Sequence, residues 1–177
     1  MKENKKLCYS RNSRNNYFGG VAMTVETGKA APTFTLPNQA GENVSLADFK
    51  GKHVVLYFYP KDMTPGCTTE ACDFRDNHEK FADLDAVIIG VSPDPVDSHQ
   101  AFIDKHDLPF LLLADADHQV VGDYGVWKLK NKSGIESYGI ERSTFIIDKD
   151  GTLQKEYRKV SVEGHVENAL TFIRENL

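Results

Sequence analysis

The stretch His53-Val54-Val55-Leu56-Tyr57-Phe58-Tyr59-Pro60-Lys61-Asp62-Met63-Thr64-Pro65-Gly66-Cys67 decides the fold. His53–Tyr59 is a continuous β-branched and aromatic run with no polar alternation, the pattern of a strand buried on both faces. Pro60–Gly66 holds two prolines and a glycine and reads as a loop. Cys67–Phe81 then reads as a helix, with Ala71, Phe74 and Phe81 on one face. A second apolar run, Ala86–Val91, predicts another buried strand, broken by Ser92-Pro93-Asp94-Pro95.

Working outward, Thr33–Leu36 and Glu42–Ser45 are short strand candidates around a turn at Gln39-Ala40-Gly41. Ser45–Asp48 opens a single helical turn ending near Gly51. Val96–His106 reads as an amphipathic helix with Ala101, Phe102 and Ile103 inward, Phe110–Ala114 as a short strand, and Gln119–Tyr124 as a short helix stopped by Gly125. Ser143–Asp148 and Thr152–Arg158 form a hairpin through Asp148-Lys149-Asp150-Gly151, and Val162–Asn176 is the closing helix. A helix-linked strand pair followed by a hairpin gives a three-layer α/β domain, a central mixed β-sheet flanked by helices.

The 177 residues carry a net charge of −5. Residues 1–22 hold five basic residues against Glu3 alone, a net of +4, which leaves −9 for the remainder. A body this acidic repels phosphate backbones, so nucleic acid is not an expected partner. The longest apolar runs, Val54–Tyr59 and Ala86–Val91, fall far short of the roughly 20 residues that span a bilayer. Three cysteines are too few for a secreted disulfide scaffold or a four-cysteine zinc site. Residues 1–22 lack the apolar core of a secretory signal, and two serines support a transit peptide poorly. The expectation is a disordered extension, with Met23 as the true start because Gly19-Gly20-Val21 can be encoded by a purine-rich run of the ribosome-binding type. Residues 23–177 form the domain.

Cys67 sits where a helix begins. Backbone N–H groups without partners and a partial positive charge at a helix start stabilise a thiolate there. The alternative is a small buried hydrophobe, the usual fate of a free cysteine; Gly66 and Pro65 beside it argue for a shaped, reactive loop. Cys72 lies five residues on. In an intact helix that spacing sets the Cα atoms about 8.7 Å apart, beyond the roughly 7 Å limit for a disulfide. The two can bond only if the first turns unwind; otherwise Cys72 merely packs.

Pro60-x-x-x-Thr64-x-x-Cys67 resembles the active-site signature of the peroxiredoxins, and Thr68-Thr69-Glu70-Ala71-Cys72 is similar to the bacterioferritin-comigratory, or Q-type, atypical two-cysteine subfamily. Gly139-Ile140-Glu141-Arg142-Ser143-Thr144-Phe145-Ile146-Ile147-Asp148 resembles the second signature of that family, and Ala31-Pro32-x-Phe34-x-Leu36 fits its opening. The similarity runs from about Val25 to Leu177. It implies a thioredoxin-like fold and a thiol-dependent peroxidase for hydrogen peroxide and organic hydroperoxides, needing no cofactor or metal. Cys67 would be the peroxidatic cysteine and Cys72 the resolving one. Thr64 would hydrogen-bond at the sulfur and the peroxide, Arg142 would hold the thiolate and polarise the oxygens, and Pro60 would shield the pocket. Thioredoxin, or a similar dithiol protein, would reduce the resulting disulfide, in a cytoplasmic protein for which a monomer is favoured.

A dithiol–disulfide oxidoreductase on the same fold usually spaces its cysteines as Cys-x-x-Cys, whereas four residues separate Cys67 and Cys72. A redox sensor or holdase would use the same cysteines once and stall. Glu70 could brace Arg142 or be a helix-surface acid. The six histidines show no metal-ligand spacing and read as structural or surface. Asp83, Asp85, Asp94 and Asp97 read as solvated surface, Trp127 as packing or a wall of the substrate face, and Cys8 as without a role. Lys128–Ser137 is more polar than the resemblance leads one to expect, which leaves the surface for the reductant or substrate open.

Overall fold

The computed structural model describes residues 25–177. The predicted extension 1–22, the start at Met23 and Cys8 lie outside the described residues. A five-stranded mixed sheet organises the chain. β3 (His53–Phe58) is its centre, buried at every position, with β4 (Ala86–Ser92) parallel on one side. β5 (Leu111–Ala114) extends that side in parallel. On the other side β8 (Ser143–Ile147) and β9 (Leu153–Tyr157) run antiparallel. The thioredoxin-like α/β architecture and mixed sheet expected from the sequence are therefore present.

Side-chain alternation along β3 separates two cores. Val54, Leu56 and Phe58 face a layer made by β1 (Thr35–Pro37), β2 (Asn43–Ser45), a 3₁₀ turn at Leu46–Phe49 and the short α4 (Gln119–Asp123). Val55 and Tyr57 face α1 (Pro65–Asp76), α2 (His78–Asp83), α3 (Val96–His106) and α5 (His165–Asn176). Most of the helical cover thus lies on one face of the sheet.

Several boundaries differ from the sequence reading for local reasons. The Cys67–Phe81 helix begins two residues earlier, with Pro65 in the first turn, where a missing N–H costs nothing. It is also broken at Asn77, whose side-chain amide donates to the Asp73 carbonyl at 2.9 Å. Ala71, Phe74 and Phe81 are still all fully buried. In α3 the predicted inward trio is corrected: successive helical residues diverge by 100°, so Ala101 is exposed and His99 joins Phe102 inside. The last helix starts at His165 because Gly164 has φ 73° and serves as its N-cap.

The Lys128–Ser137 stretch is the larger surprise. It forms an antiparallel ribbon of β6 (Trp127–Lys132) and β7 (Ile135–Ile140), outside the central sheet. Ser133 (φ 55°) and Gly134 (φ 81°) make its two-residue turn. Asp94 is corrected as well: it is half-buried and accepts from the Ser92 hydroxyl and the Asp62 amide, both at 2.8 Å.

Candidate active site

The loop from β3 delivers the chain to the start of α1. Thr64 is the N-cap in extended conformation, Pro65 follows, and Cys67 is the third helical residue. The first intrahelical bond runs from the Thr68 amide to the Thr64 carbonyl, 2.9 Å. The Gly66 and Cys67 amides therefore open outward from the helix start, the arrangement that binds anions. Cys67 is 1% exposed, packed in the core with Tyr57, Ala71 and Phe74. Cys72 is half-buried, and neither sulfur is bridged.

Arg142 arrives from the neighbouring strand on the other flank of β3. It immediately precedes β8, whose Ser143 pairs with Phe58 at the end of β3. Its Nη2 donates to Cys67 Sγ at 3.2 Å and its Nη1 to Glu70 Oε2 at 2.7 Å. Burial opposes the charge on Arg142, but Glu70 and Cys67 outweigh it and hold the guanidinium above its ordinary value. Glu70 lies one turn beyond Cys67 on the same helix face and is fully buried. Of the two readings open at the sequence level, the brace is therefore the one present, and the surface acid is not. Burial pushes the Glu70 carboxyl up to about 7 despite Arg142, and its second oxygen has no partner. Gly66 lies under the guanidinium: a Cβ there would come within 3.3 Å of Nη2.

Two further expected residues flank the helix start. The Thr64 hydroxyl donates to the Lys61 carbonyl at 2.9 Å rather than to the sulfur. Its oxygen keeps lone pairs to accept with. Pro60 is exposed, at the rim where β3 ends. Trp127 is half-buried, against His118 (ring centroids 4.3 Å apart) and Tyr138 (6.0 Å).

The sequence reading missed a buried network behind the loop. Asp62, one residue before Met63 (φ 63°), accepts from Tyr59 Oη at 2.6 Å and Ser98 Oγ at 2.7 Å. His99 Nδ1 lies 2.7 Å from the same carboxylate, and His99 Nε2 lies 3.0 Å from the Leu113 carbonyl. Burial alone would raise the Asp62 carboxyl; His99, Tyr59 and Ser98 hold it below its usual value. The network ties β3, the loop, α3 and β5 together. No local pattern announces it, since 37 residues separate Asp62 from His99.

A thiol at a helix start, contacted by a braced guanidinium, is equipped to react with an electrophile that leaves as an anion. The AhpC/TSA family model matches residues 27–156. The chain belongs to the AhpC/TSA family. Peroxiredoxin Bcp of Bacillus subtilis is 61% identical over 153 residues, covering 86% of this chain and 98% of that one. Peroxiredoxin Bcp of Escherichia coli K12 is 40% identical, covering 86% and 97%. Among solved structures, the Xanthomonas campestris bacterioferritin comigratory protein, studied for its alkyl peroxide reduction activity, superposes with a TM-score of 0.77 at 39% identity over 80% of this chain and 90% of that one. BcpB of Mycobacterium tuberculosis also gives 0.77, at 35% identity over 87% and 99%. This chain is thus a peroxiredoxin of the Bcp/PrxQ type, a peroxidase among the oxidoreductases. No helix among the described residues of this peroxiredoxin is long and apolar enough to cross a membrane.

Proposed function

We propose that this peroxiredoxin reduces hydrogen peroxide and organic hydroperoxides through Cys67 as the peroxidatic cysteine and Cys72 as the resolving one. The Cys67 thiolate attacks one peroxide oxygen; an S–O bond forms, the O–O bond breaks, and hydroxide or alkoxide leaves and takes a proton from water. Negative charge grows on the departing oxygen, where Arg142 and the Gly66 and Cys67 amides donate. The Thr64 hydroxyl, committed as a donor to Lys61, accepts the hydrogen of the incoming peroxide. Pro60 walls the rim of the pocket.

The product is Cys67 sulfenic acid. The Cys72 thiol attacks its sulfur, an S–S bond forms and water leaves. Helix geometry sets the two Cα atoms about 8.7 Å apart, so this step requires α1 to unwind from its N-terminus. Thioredoxin, or a similar dithiol protein, then returns both thiols. We read the enzyme as a cytoplasmic monomer acting on neither nucleic acid nor membrane, with no metal or cofactor in the cycle.

The observation that carries this reading is the 3.2 Å contact from Arg142 to Cys67 at the start of a helix, braced by Glu70. The test is a free-thiol count and peptide map after one equivalent of hydrogen peroxide. A single Cys67–Cys72 bridge is expected. An oxidised Cys67 beside a free Cys72 would keep the peroxidase and remove the resolving role; an unmodified Cys67 would end the reading. Cys67→Ser should abolish turnover.

A further inference from the structure

The β6–β7 ribbon is a basic, apolar projection on an acidic molecule. Its register pairs Trp127 with Ile140, Leu129 with Tyr138 and Asn131 with Glu136 on one face. The other face carries Lys128, Lys130 and Lys132. Three lysines against Glu136 give the ribbon +2, which leaves −11 for the other described residues. Leu129 is 53% exposed, Tyr138 60% and Ile135, near the tip, 72%. Among the described residues only the root is tied down: Ile140 is in the core and Trp127 packs against it. Lys130 folds over Gly139 and donates to the Ile140 carbonyl, so its charge has structural work. Lys128 and Lys132 are exposed and enter no ion pair among the described residues.

A two-stranded ribbon is marginal in water by itself, and large apolar side chains at its surface mark a contact site. Charge selects the occupant. Nucleic acid and anionic membranes would meet the acidic body as well as the ribbon. A second copy would bring a like-charged ribbon to its apolar face. A protein with an apolar spot rimmed by acidic groups fits both faces. The ribbon also leads into the site: after Ile140 the Glu141 amide bonds the Val126 carbonyl at 2.8 Å, and the next residue is Arg142.

We propose that the β6–β7 ribbon is the docking face for the acidic dithiol protein that reduces the oxidised enzyme. The proposal rests on the disulfide cycle described above. Docked there, one partner thiolate attacks a sulfur of the Cys67–Cys72 bridge; a mixed disulfide forms and one enzyme thiolate leaves. The second partner thiolate displaces the other enzyme sulfur, and the partner departs as a disulfide, having given up two electrons and two protons.

The test is Lys128→Glu/Lys132→Glu, which spares Lys130. Steady-state turnover is measured with a thioredoxin of net negative charge as the varied substrate, and in parallel with dithiothreitol. The double variant should raise KM for thioredoxin on the order of tenfold at low salt, because charges at an interface rim govern encounter. The wild-type KM should rise with ionic strength and the variant's should not. Dithiothreitol-driven turnover and the first oxidation by peroxide should be unchanged. An unaltered thioredoxin KM, or an equal loss with dithiothreitol, would overturn the docking role. Wild-type turnover with dithiothreitol but none with thioredoxin would also overturn it, while leaving the peroxidase standing. No turnover with either reductant would instead sink the disulfide cycle. Tyr138→Ser, on the apolar face, should raise the thioredoxin KM without removing its salt dependence.

Discussion

Arg142 Nη2 lies 3.2 Å from Cys67 Sγ although 75 residues of chain separate the two. The contact exists because β8 pairs antiparallel with β3, setting the residue before Ser143 beside the loop that follows Phe58. Arg142→Ala should slow the first oxidation of Cys67 by roughly 10²–10³-fold, the usual loss for one fixed donor to a developing anion. Arg142→Lys should recover little, since an ammonium cannot span the sulfur and Glu70 as a planar fork does. Stopped-flow oxidation by hydrogen peroxide measures both; an unchanged second-order rate in the alanine variant would remove the role.

Gly66 tests how much that contact tolerates. A methyl group there would press on Nη2 from 3.3 Å, and the guanidinium is the part that yields. Gly66→Ala should leave stability unchanged or raise it by up to about 1 kcal/mol through helix propensity. It should also slow the first oxidation about tenfold, since a shift of 1 Å can cost about 10². Equal losses of stability and rate would instead indicate general damage to α1.

The buried titrating groups make opposite demands on pH. Glu70 titrates near 7 when folded against 4.5 for a free carboxyl, so the folded chain binds the extra proton and stability falls as pH rises through that window. His165, pressed down to about 4 by burial and then by Arg142, binds its proton in the unfolded chain; stability is lost as pH falls from 6.5 toward 4. Each shift corresponds to about 3 kcal/mol. Relative to wild type, Glu70→Gln should therefore gain stability with rising pH between 4.5 and 7, and His165→Asn should gain it as pH falls below 6.5. Urea denaturation at several pH values reads this, and variant curves parallel to the wild type would refute it.

Gly90, in the middle of β4, has no room for a side chain. A Cβ would stand 2.7 Å from Leu112 and 2.8 Å from the Tyr57 ring, which stacks on Phe74 of α1. Gly90→Ala should destabilise the fold by about 1–3 kcal/mol through overpacking. A denaturation midpoint at or above the wild-type value would contradict the packing described.

His99→Ala should cost about 3–5 kcal/mol, because it strips a partner from the buried Asp62 carboxylate. Asp62→Ala/His99→Ala together should cost less than the sum of the singles. A strictly additive cycle, measured by urea melts, would mean that the two do not act as a unit.

The central strand was legible because every residue of Val54–Tyr59 is apolar, and the start of α3 because Ser92-Pro93-Asp94-Pro95 breaks the chain just before it. Cys67 and Arg142 were legible as a pair only through two signatures read together. Glu70 stayed ambiguous because its burial depends on a guanidinium contributed 72 residues later. Asp62 and His99 left no trace for the same reason: each is an ordinary polar residue until the fold joins them. The ribbon was missed because the alternation is short, with the polar Asn131 and Glu136 interrupting its apolar face, and Ser133-Gly134 is a less usual two-residue turn than Asn-Gly.

The break at Asn77 sets a limit on the cycle. Helix α1 is 12 residues long, too short to hold itself in water without its packed face, and both thiols lie upstream of the break. Beyond it the backbone starts again, with the Phe81 amide bonded to the Asn77 carbonyl at 3.2 Å and the Phe81 ring fully buried. In the disulfide cycle proposed above, Asn77 would be a bulkhead: the first compartment would flood so that the sulfurs meet while α2 and the sheet behind it stay dry, and the way back would need only one short segment to rewind.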